Sequence, residues 1–375
     1  MNQATNNERG VALLAAIVAI VLIGSLMTAA AASSILEFRM ATNGRRMVQA
    51  FSTAEYGLID VVTNWDQLTY NVLATYDSSY VTDTTPAGTG IYEGYVKRLS
   101  DEVFLVKVAG RDTYGGSVQQ LGSLVRLTPI NINVSSALTT QGPTTIGGSA
   151  TLSGNDAMPS GWSDCPPLET GMSGIATSDT SNLTLQGSCS DGSCIAGSPN
   201  INEDTTVADS TFFDYGDAMW DDLVKAANKI LTPGTYTGVQ PSYSGGNCNT
   251  LDPKNWGDPL DQTSNCAMYF PVIYVNGNLN VNGDYGQGFL LVDGDLSVQG
   301  GFEFFGIVIV KGAISTTGTG GHFNGSVMAA NVNLDASKVL GNASVNFSSC
   351  SIDKAIKFAA TATPLTSRNW FQVYF

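Results

Sequence analysis

Acid–base chemistry needs a carboxylate or imidazole held beside a second titrating group. The last third of the chain offers five such side chains: Asp293, Asp295, Glu303, Lys311 and His322. Asp293 and Asp295, however, stand at the same places in a repeated pattern as Asn276 and Asn278, so solvation of a chain corner accounts for them more simply than catalysis. No G-x-S-x-G, H-E-x-x-H or phosphate-loop pattern is present, and a non-enzymatic protein with no cofactor is expected. Asp252, Asp258 and Asp261, or the Asp-Gly corners, offer oxygens to calcium, but EF-hand spacing is absent and no metal site is expected.

Cysteine is the other reactive type. The six, Cys165, Cys189, Cys194, Cys248, Cys266 and Cys350, lack C-x-x-C spacing, and His322 is the single histidine, which argues against zinc and for disulfides in an oxidising compartment. Sequence does not select the pairing. Locality favours Cys189 with Cys194 across an Asp-Gly turn and Cys248 with Cys266 across a Pro-rich loop, which leaves Cys165 with Cys350.

The element behind these residues is a repeat. Val275-Asn-Gly-Asn-Leu-Asn-Val-Asn-Gly283 recurs as Val292-Asp-Gly-Asp-Leu-Ser-Val-Gln-Gly300, as Val310-Lys-Gly-Ala-Ile-Ser-Thr-Thr-Gly318 and loosely as Met328-Ala-Ala-Asn-Val-Asn-Leu-Asp-Ala336, with starts 17, 18 and 18 residues apart. Glycines at two fixed corners, Gly277, Gly294 and Gly312 in one column and Gly283, Gly300 and Gly318 in the other, suit the stacked coils of a β-solenoid. Apolar first, fifth and seventh positions alternate with polar ones, filling a core and wetting a face. Residues 144–154 carry the same two-glycine spacing, so a solenoid could begin there and be interrupted by the cysteine-rich stretch; residues 339–347 look like a closing partial coil.

Residues 272–275, 289–292 and 307–310 are apolar on both strand faces, so one wall needs a cover. Candidates are a helix over about 211–231, marked by Phe212, Met219, Leu223, Ala227 and Ile230 and capped by Ser210, and the segment 352–375.

Only 13% of residues are charged and the net charge is −15, which disfavours nucleic-acid binding. Residues 11–36 hold no charged side chain over 26 positions, more than the ~20 a helix needs to cross a bilayer. Apolar positions at Met47, Phe51, Ala54, Leu58, Val61 and Trp65 continue the helical period to about residue 64, a rod of roughly 80 Å with a weak point at Asn43-Gly44. Arg39, Arg45 and Arg46 follow the span and only Arg9 precedes it, but long domains translocate regardless of that count, and the cysteines favour the C-terminal bulk outside the cytoplasm.

Glu8-Arg9-Gly10-Val11-Ala12-Leu13-Leu14, then Leu36-Glu37-Phe38-Arg39-Met40-Ala41 and Ala50-Phe51-Ser52-Thr53-Ala54-Glu55, resemble the N-terminal region of PilX-type minor pilins over residues 7–60. The ending Trp370-Phe371-Gln372-Val373-Tyr374-Phe375 resembles, more weakly, C-terminal modules of the same proteins. The resemblance implies cleavage by a prepilin peptidase between Gly10 and Val11, residence in a bacterial inner membrane as a single-pass protein, and packing with other pilin subunits into a filament at the cell surface. Val11 replaces the usual Phe or Met, and Ala15 stands where most pilins carry a glutamate. An unpaired site of that kind is best tolerated at a filament tip.

The expected fold is α+β, mainly β: a leader over 1–10, a transmembrane and pilin-like helix over 11–66, an antiparallel meander over 67–132 with strands at 91–98, 103–109 and 118–127, a Gly/Ser/Cys-rich region over 133–269 with one helix at about 211–231 and largely loop over 159–262, a β-solenoid (parallel β-helix-like) over 270–350 and a capping segment over 351–375. Its expected role is structural, as a subunit of a type IV pilus or related filament at or near the tip; the alternative is a pilus-borne adhesin whose solenoid binds a surface or carbohydrate, and behind it a polysaccharide-cleaving β-helix enzyme. The first two readings would separate on deletion of 272–375, which would abolish attachment yet spare piliation only in an adhesin.

Overall fold

A computed structural model describes residues 7–128, 132–215, 218–330, 337–339, 342–365 and 371–373. The chain forms two compact units, residues 1–65, 73–126 and 363–375, and residues 66–72 and 127–362.

In the first unit one helix, α1 (Asn7–Thr63), runs unbroken through Asn43-Gly44. Its second half lies on an antiparallel sheet of β1 (Ser78–Thr84), β2 (Gly90–Arg98), β3 (Val103–Asp112) and β4 (Val118–Thr128), in that order. Where the helix crosses Gly110 the contact face is made of small residues. Ala50 and Ala54 are fully buried, and a Cβ on Gly110 of β3 would collide with the α1 backbone at those two positions. Phe104, Val106 and Val108 alternate toward the same side, with the period of two that a half-buried strand requires. The Tyr92 hydroxyl donates to Asp60 of α1 at 2.6 Å, joining helix and sheet by a polar tie.

Two features of this unit depart from the sequence expectation. The sheet has a further strand, β1, at its edge, and Thr361–Pro364 and Phe371–Val373 both lie against β4. The C-terminal segment is therefore divided between sheet strands here and a helix in the second unit, instead of serving throughout as a cap; positions 366–370, 374 and 375 lie outside the described residues. The pairing puts Phe371 opposite Gly122, whose missing side chain leaves room for the ring.

The second unit is built from two parallel sheets. Lys229–Leu231, Val272–Val275, Tyr285–Val292, Phe302–Val310 and Gly321–Ala329 pair successively in one. Gly234–Thr237, Leu279–Asn282, Leu296–Gln299, Ile314–Thr316 and Ser337–Val339 pair in the other. Leu279, Val281, Leu296, Val298 and Ile314 are buried, as are Ile273, Val275, Leu290, Val292, Val308 and Val310. Each such side chain contributes ~1.5–3 kcal/mol by leaving water.

Successive coils are in register at 17 residues (Phe289 on Val272) and 18 (Ile307 on Phe289). The next step pairs Met328 with Ile309, one residue away from the repeat alignment, because the chain carries an additional residue before Gly321–Ala329. Positions 331–336 of the loose fourth repeat lie outside the described residues.

Residues 136–154 supply three further parallel strands, and the stretch 159–262 carries short strands among its loops. Ser136–Thr140 pairs with Gly321–Ala329, Thr144–Ile146 with Ser337–Val339 and Thr151–Ser153 with Ser344–Phe347, all parallel; Ser173–Thr177 and Leu183–Leu185 then continue outward from these. The stack thus starts at its middle. The chain builds toward one edge of the parallel sheet, crosses to the other at Lys229–Leu231, and returns strand by strand to pair with Ser136–Thr140.

The expected 211–231 helix is instead a 3-10 turn (Asp209–Phe212), a six-residue helix α2 (Trp220–Lys225) and the strand Lys229–Leu231. Met219 and Ile230, read as apolar-face residues, are 56% and 71% exposed. Ser210 lies inside the 3-10 turn and caps nothing as N-cap; that position is Ala208. A second helix, α3 (Ser349–Ala359), capped by the Ser348 hydroxyl, packs on the strands Tyr285–Val292, Phe302–Val310 and Gly321–Ala329.

Candidate functional site

Two places on this chain present groups that a surrounding environment must answer. The first is the N-terminal half of α1. From Val11 onward every side chain to residue 36 is exposed, including Leu13, Leu14, Ile20 and Leu26 at about two thirds or more of their surface. An apolar surface of this extent calls for lipid or protein around it. The helix is long and apolar enough to cross a membrane. Gly10 and Val11 lie in its first turns, and Ala15 follows one turn on. Beyond the span Arg39 and Arg45 are exposed, whereas Arg46 reaches Asp112 at 3.8 Å and covers the Tyr114 ring.

The second is the corner of the parallel stack. Asn278 Oδ1 accepts the backbone N–H of Asp295 in the next coil, and Asp295 Oδ1 accepts that of Ala313 in the one after, both at 2.9 Å. These side chains lie over the glycine column: a Cβ on Gly294 would strike the Asn278 amide oxygen, and one on Gly312 the Asp295 carboxylate. Gly277 adopts φ +136°, while the other column, Gly283, Gly300 and Gly318, turns through φ between +67° and +77°, a region that disfavours side chains. Asp295 is thereby a corner link.

The remaining acid–base candidates separate into two pairs. Asp293 Oδ1 meets Lys311 Nζ at 2.6 Å, and the ammonium also lies 4.4 Å from the Trp220 ring centre and 5.2 Å from that of Phe213. That cation locks the 209–225 stretch over the apolar row, with Trp220 edge-on to Tyr274. Glu303 and His322 are register partners in adjacent strands; Glu303 accepts from Asn324 Nδ2 at 3.1 Å, and His322 Nδ1 lies 2.9 Å from the Ser344 hydroxyl.

Asp252, Asp258 and Asp261 are each turned onto local donors. Asp252 accepts from Lys254 N–H, Asp258 from Asp261 N–H and the Tyr243 hydroxyl, and Asp261 from Thr263 N–H and hydroxyl. The Thr263 bonds hold the Asp261 carboxyl below the usual carboxylate range, and the Lys254 N–H does the same for Asp252. Among the described residues no group of three or more His, Cys, Asp or Glu converges to hold a metal ion.

The cysteines pair as Cys165–Cys350, Cys189–Cys194 and Cys248–Cys266, with Cα atoms 4.9, 5.1 and 4.9 Å apart. The first joins α3 to the 154–172 stretch, whose Trp162 stacks on Phe305 and lies under Lys354. Lys229 escaped the sequence reading. It occupies a core register position beside Ile273, and its Nζ donates to the carbonyls of Thr250 and Asp252 at 3.0 and 2.7 Å, beneath the 250–270 loop. A lysine inside an apolar-alternating strand was the available signal.

No family model matches the sequence, and no curated protein matches it. Among solved structures the chain is similar to the competence-associated pilin ComZ from Thermus thermophilus, at 11% identity over 88% of this chain and 97% of that one, with a TM-score of 0.24. A superposition that loose transfers neither fold nor function.

Proposed function

We propose that this chain is a pilin-like subunit, held in a bacterial inner membrane by residues 11–36 before joining a filament of other pilin subunits at the cell surface. The observation that carries the reading is α1 itself: one continuous helix with a naked apolar half and a half packed on an antiparallel sheet through Ala50, Ala54, Leu58 and Val61. In this reading a prepilin peptidase cuts between Gly10 and Val11, and the absence of a carboxylate at Ala15 suits a place at or near the filament tip. The parallel ladders and the corner glycines support a β-solenoid as the displayed domain. No catalytic step is assigned to it.

An adhesive role has one observation in its favour, the half-exposed outward row of Tyr285, Glu303, His322 and Ser344, which offers hydrogen-bonding groups to a surface or carbohydrate. Deleting residues 272–375 cannot isolate that role, because Phe371–Val373 belongs to the sheet against α1. Glu303→Ala with Asn324→Ala is the cleaner change: lost attachment with normal piliation marks an adhesin.

Mass spectrometry of sheared filaments tests the main reading, with Val11 expected as the N-terminal residue. Gly10→Glu should strand the uncut chain in the membrane. Unchanged gel mobility and filament incorporation in that variant would overturn the proposal.

A further inference from the structure

Four Asn-Gly dipeptides occur in the chain, at Asn43, Asn276, Asn282 and Asn324. Asparagine before glycine is chemically labile, because the glycine nitrogen can reach the side-chain carbonyl with no Cβ in the way. Structure decides which of them reacts. Gly44 lies inside α1, where the helical hydrogen bonds hold its backbone. Asn324 is half-buried in a strand paired on both sides and donates to Glu303, and Gly325 is buried between coils. Gly283 N–H donates to the Gln299 carbonyl of the next coil at 3.0 Å, and the Asn282 amide oxygen lies against Gly300.

Asn276 differs on each count. Its side chain is exposed and makes no hydrogen bond among the described residues. Gly277 N–H donates only within its own turn, to Val275 O at 3.0 Å, so no neighbouring coil holds it. We propose that Asn276 is a site of spontaneous deamidation, the one Asn-Gly that the folded chain leaves free to react.

The step balances with water as co-reactant. The Gly277 nitrogen, its proton lost to solvent base, attacks Asn276 Cγ; a C–N bond forms and ammonia leaves, closing a five-membered imide. Water then opens the ring at Cγ to give aspartate, or at the backbone carbonyl to give isoaspartate. The aspartate product suits the fold, since Asp293-Gly294 already occupies the equivalent corner of the next coil. It places a second carboxylate beside the Asp293–Lys311 pair. The isoaspartate product lengthens the backbone by one carbon ahead of Asn278, whose amide oxygen holds the next coil's N–H.

The test is incubation of the full chain in detergent micelles in mildly alkaline buffer, with chymotryptic peptides followed by mass spectrometry. Asn276 should convert at least about tenfold faster than Asn282 and Asn324, because those require local opening first. In denaturant with reductant the three rates should converge. Asn276→Gln should remove the fast phase, and Asn276→Asp should fold and melt as the parent does. Equal rates in the folded chain, or rates that stay apart once it is unfolded, would overturn the proposal.

Discussion

Lys229 fills a core register position with an ammonium, and burial pushes its pKa from the ordinary 10.5 down to about 8, with nearby Asp252 opposing the shift. Between those two values an unfolded chain keeps a proton that the folded chain has released, so this residue makes stability rise with pH across that window and leaves it flat below about 8. Tyr215 and Tyr269, whose phenols burial pushes up, act in the opposite sense: above the ordinary tyrosine value the unfolded chain loses its proton first and stability falls. Thermal melts should therefore show the parent gaining stability just above pH 8, and Lys229→Met losing that gain; an unaltered slope in the variant would mean the ammonium is solvated. Leu291 and Ile309 are fully buried in the register row of Tyr274, whose ring meets Trp220 edge-on, whereas Ser297 is half-exposed. Leu291→Asp or Ile309→Asp should cost several kcal/mol, and Ser297→Asp under ~0.5, as read from melting temperatures. Small, equal shifts would show the row to be open to water.

Among the elements, α1 and its sheet approach most closely at Gly110, where neither side offers bulk. Gly110 is the narrowest point, with Ala50 and Ala54 backbone atoms where its Cβ would be. Gly110→Val should separate helix and sheet at a cost of at least ~1–3 kcal/mol, whereas Gly115→Val, at an open turn, tests backbone strain without that collision. The comparison is read in detergent by melting and by proteolysis within β3 and β4; a Gly110→Val variant that melts as the parent does would refute the packing account. The row of Phe104, Val106 and Val108 was legible because alternation is local. The α2 region was not: Phe212 and Leu223 are buried, but the exposed Met219 and Ile230 that completed the helical period belong to a turn and an edge strand.

Over the whole molecule, the second unit is closed by contacts between distant parts of the chain. Cys165 and Cys350 are 185 residues apart, and a cross-link enclosing so long a loop removes much entropy from the unfolded state. Replacing both by serine should cost on the order of 4–5 kcal/mol, measured by chemical unfolding, against a smaller loss for Cys189 with Cys194, which encloses only 5. Equal losses would show that the loop argument fails here. Pairing Ser136–Thr140 with Gly321–Ala329 also requires a late, long-range closure, so refolding should be slow, as it is for chains rich in non-local contacts.

Features that repeat or persist locally could be read directly from the residues. The apolar run of 11–36 dictates a helix long and apolar enough to cross a membrane, and the Gly277–Gly283 spacing recurs because each repeat meets the same steric demand as the last. The stack's order could not be read that way. The two-glycine spacing of 144–154 hinted that this stretch belongs with the distant repeat, but Thr144–Ile146 and Thr151–Ser153 are short and polar and do not name the strands they pair with nearly two hundred residues away. The one-residue shift at Gly321–Ala329 likewise shows only in the strand pairing. That Ser136–Thr140 would receive Gly321–Ala329 emerged from the folded arrangement alone, because a parallel strand gains its hydrogen bonds from a neighbour in space, and nothing local in the chain encodes which neighbour arrives.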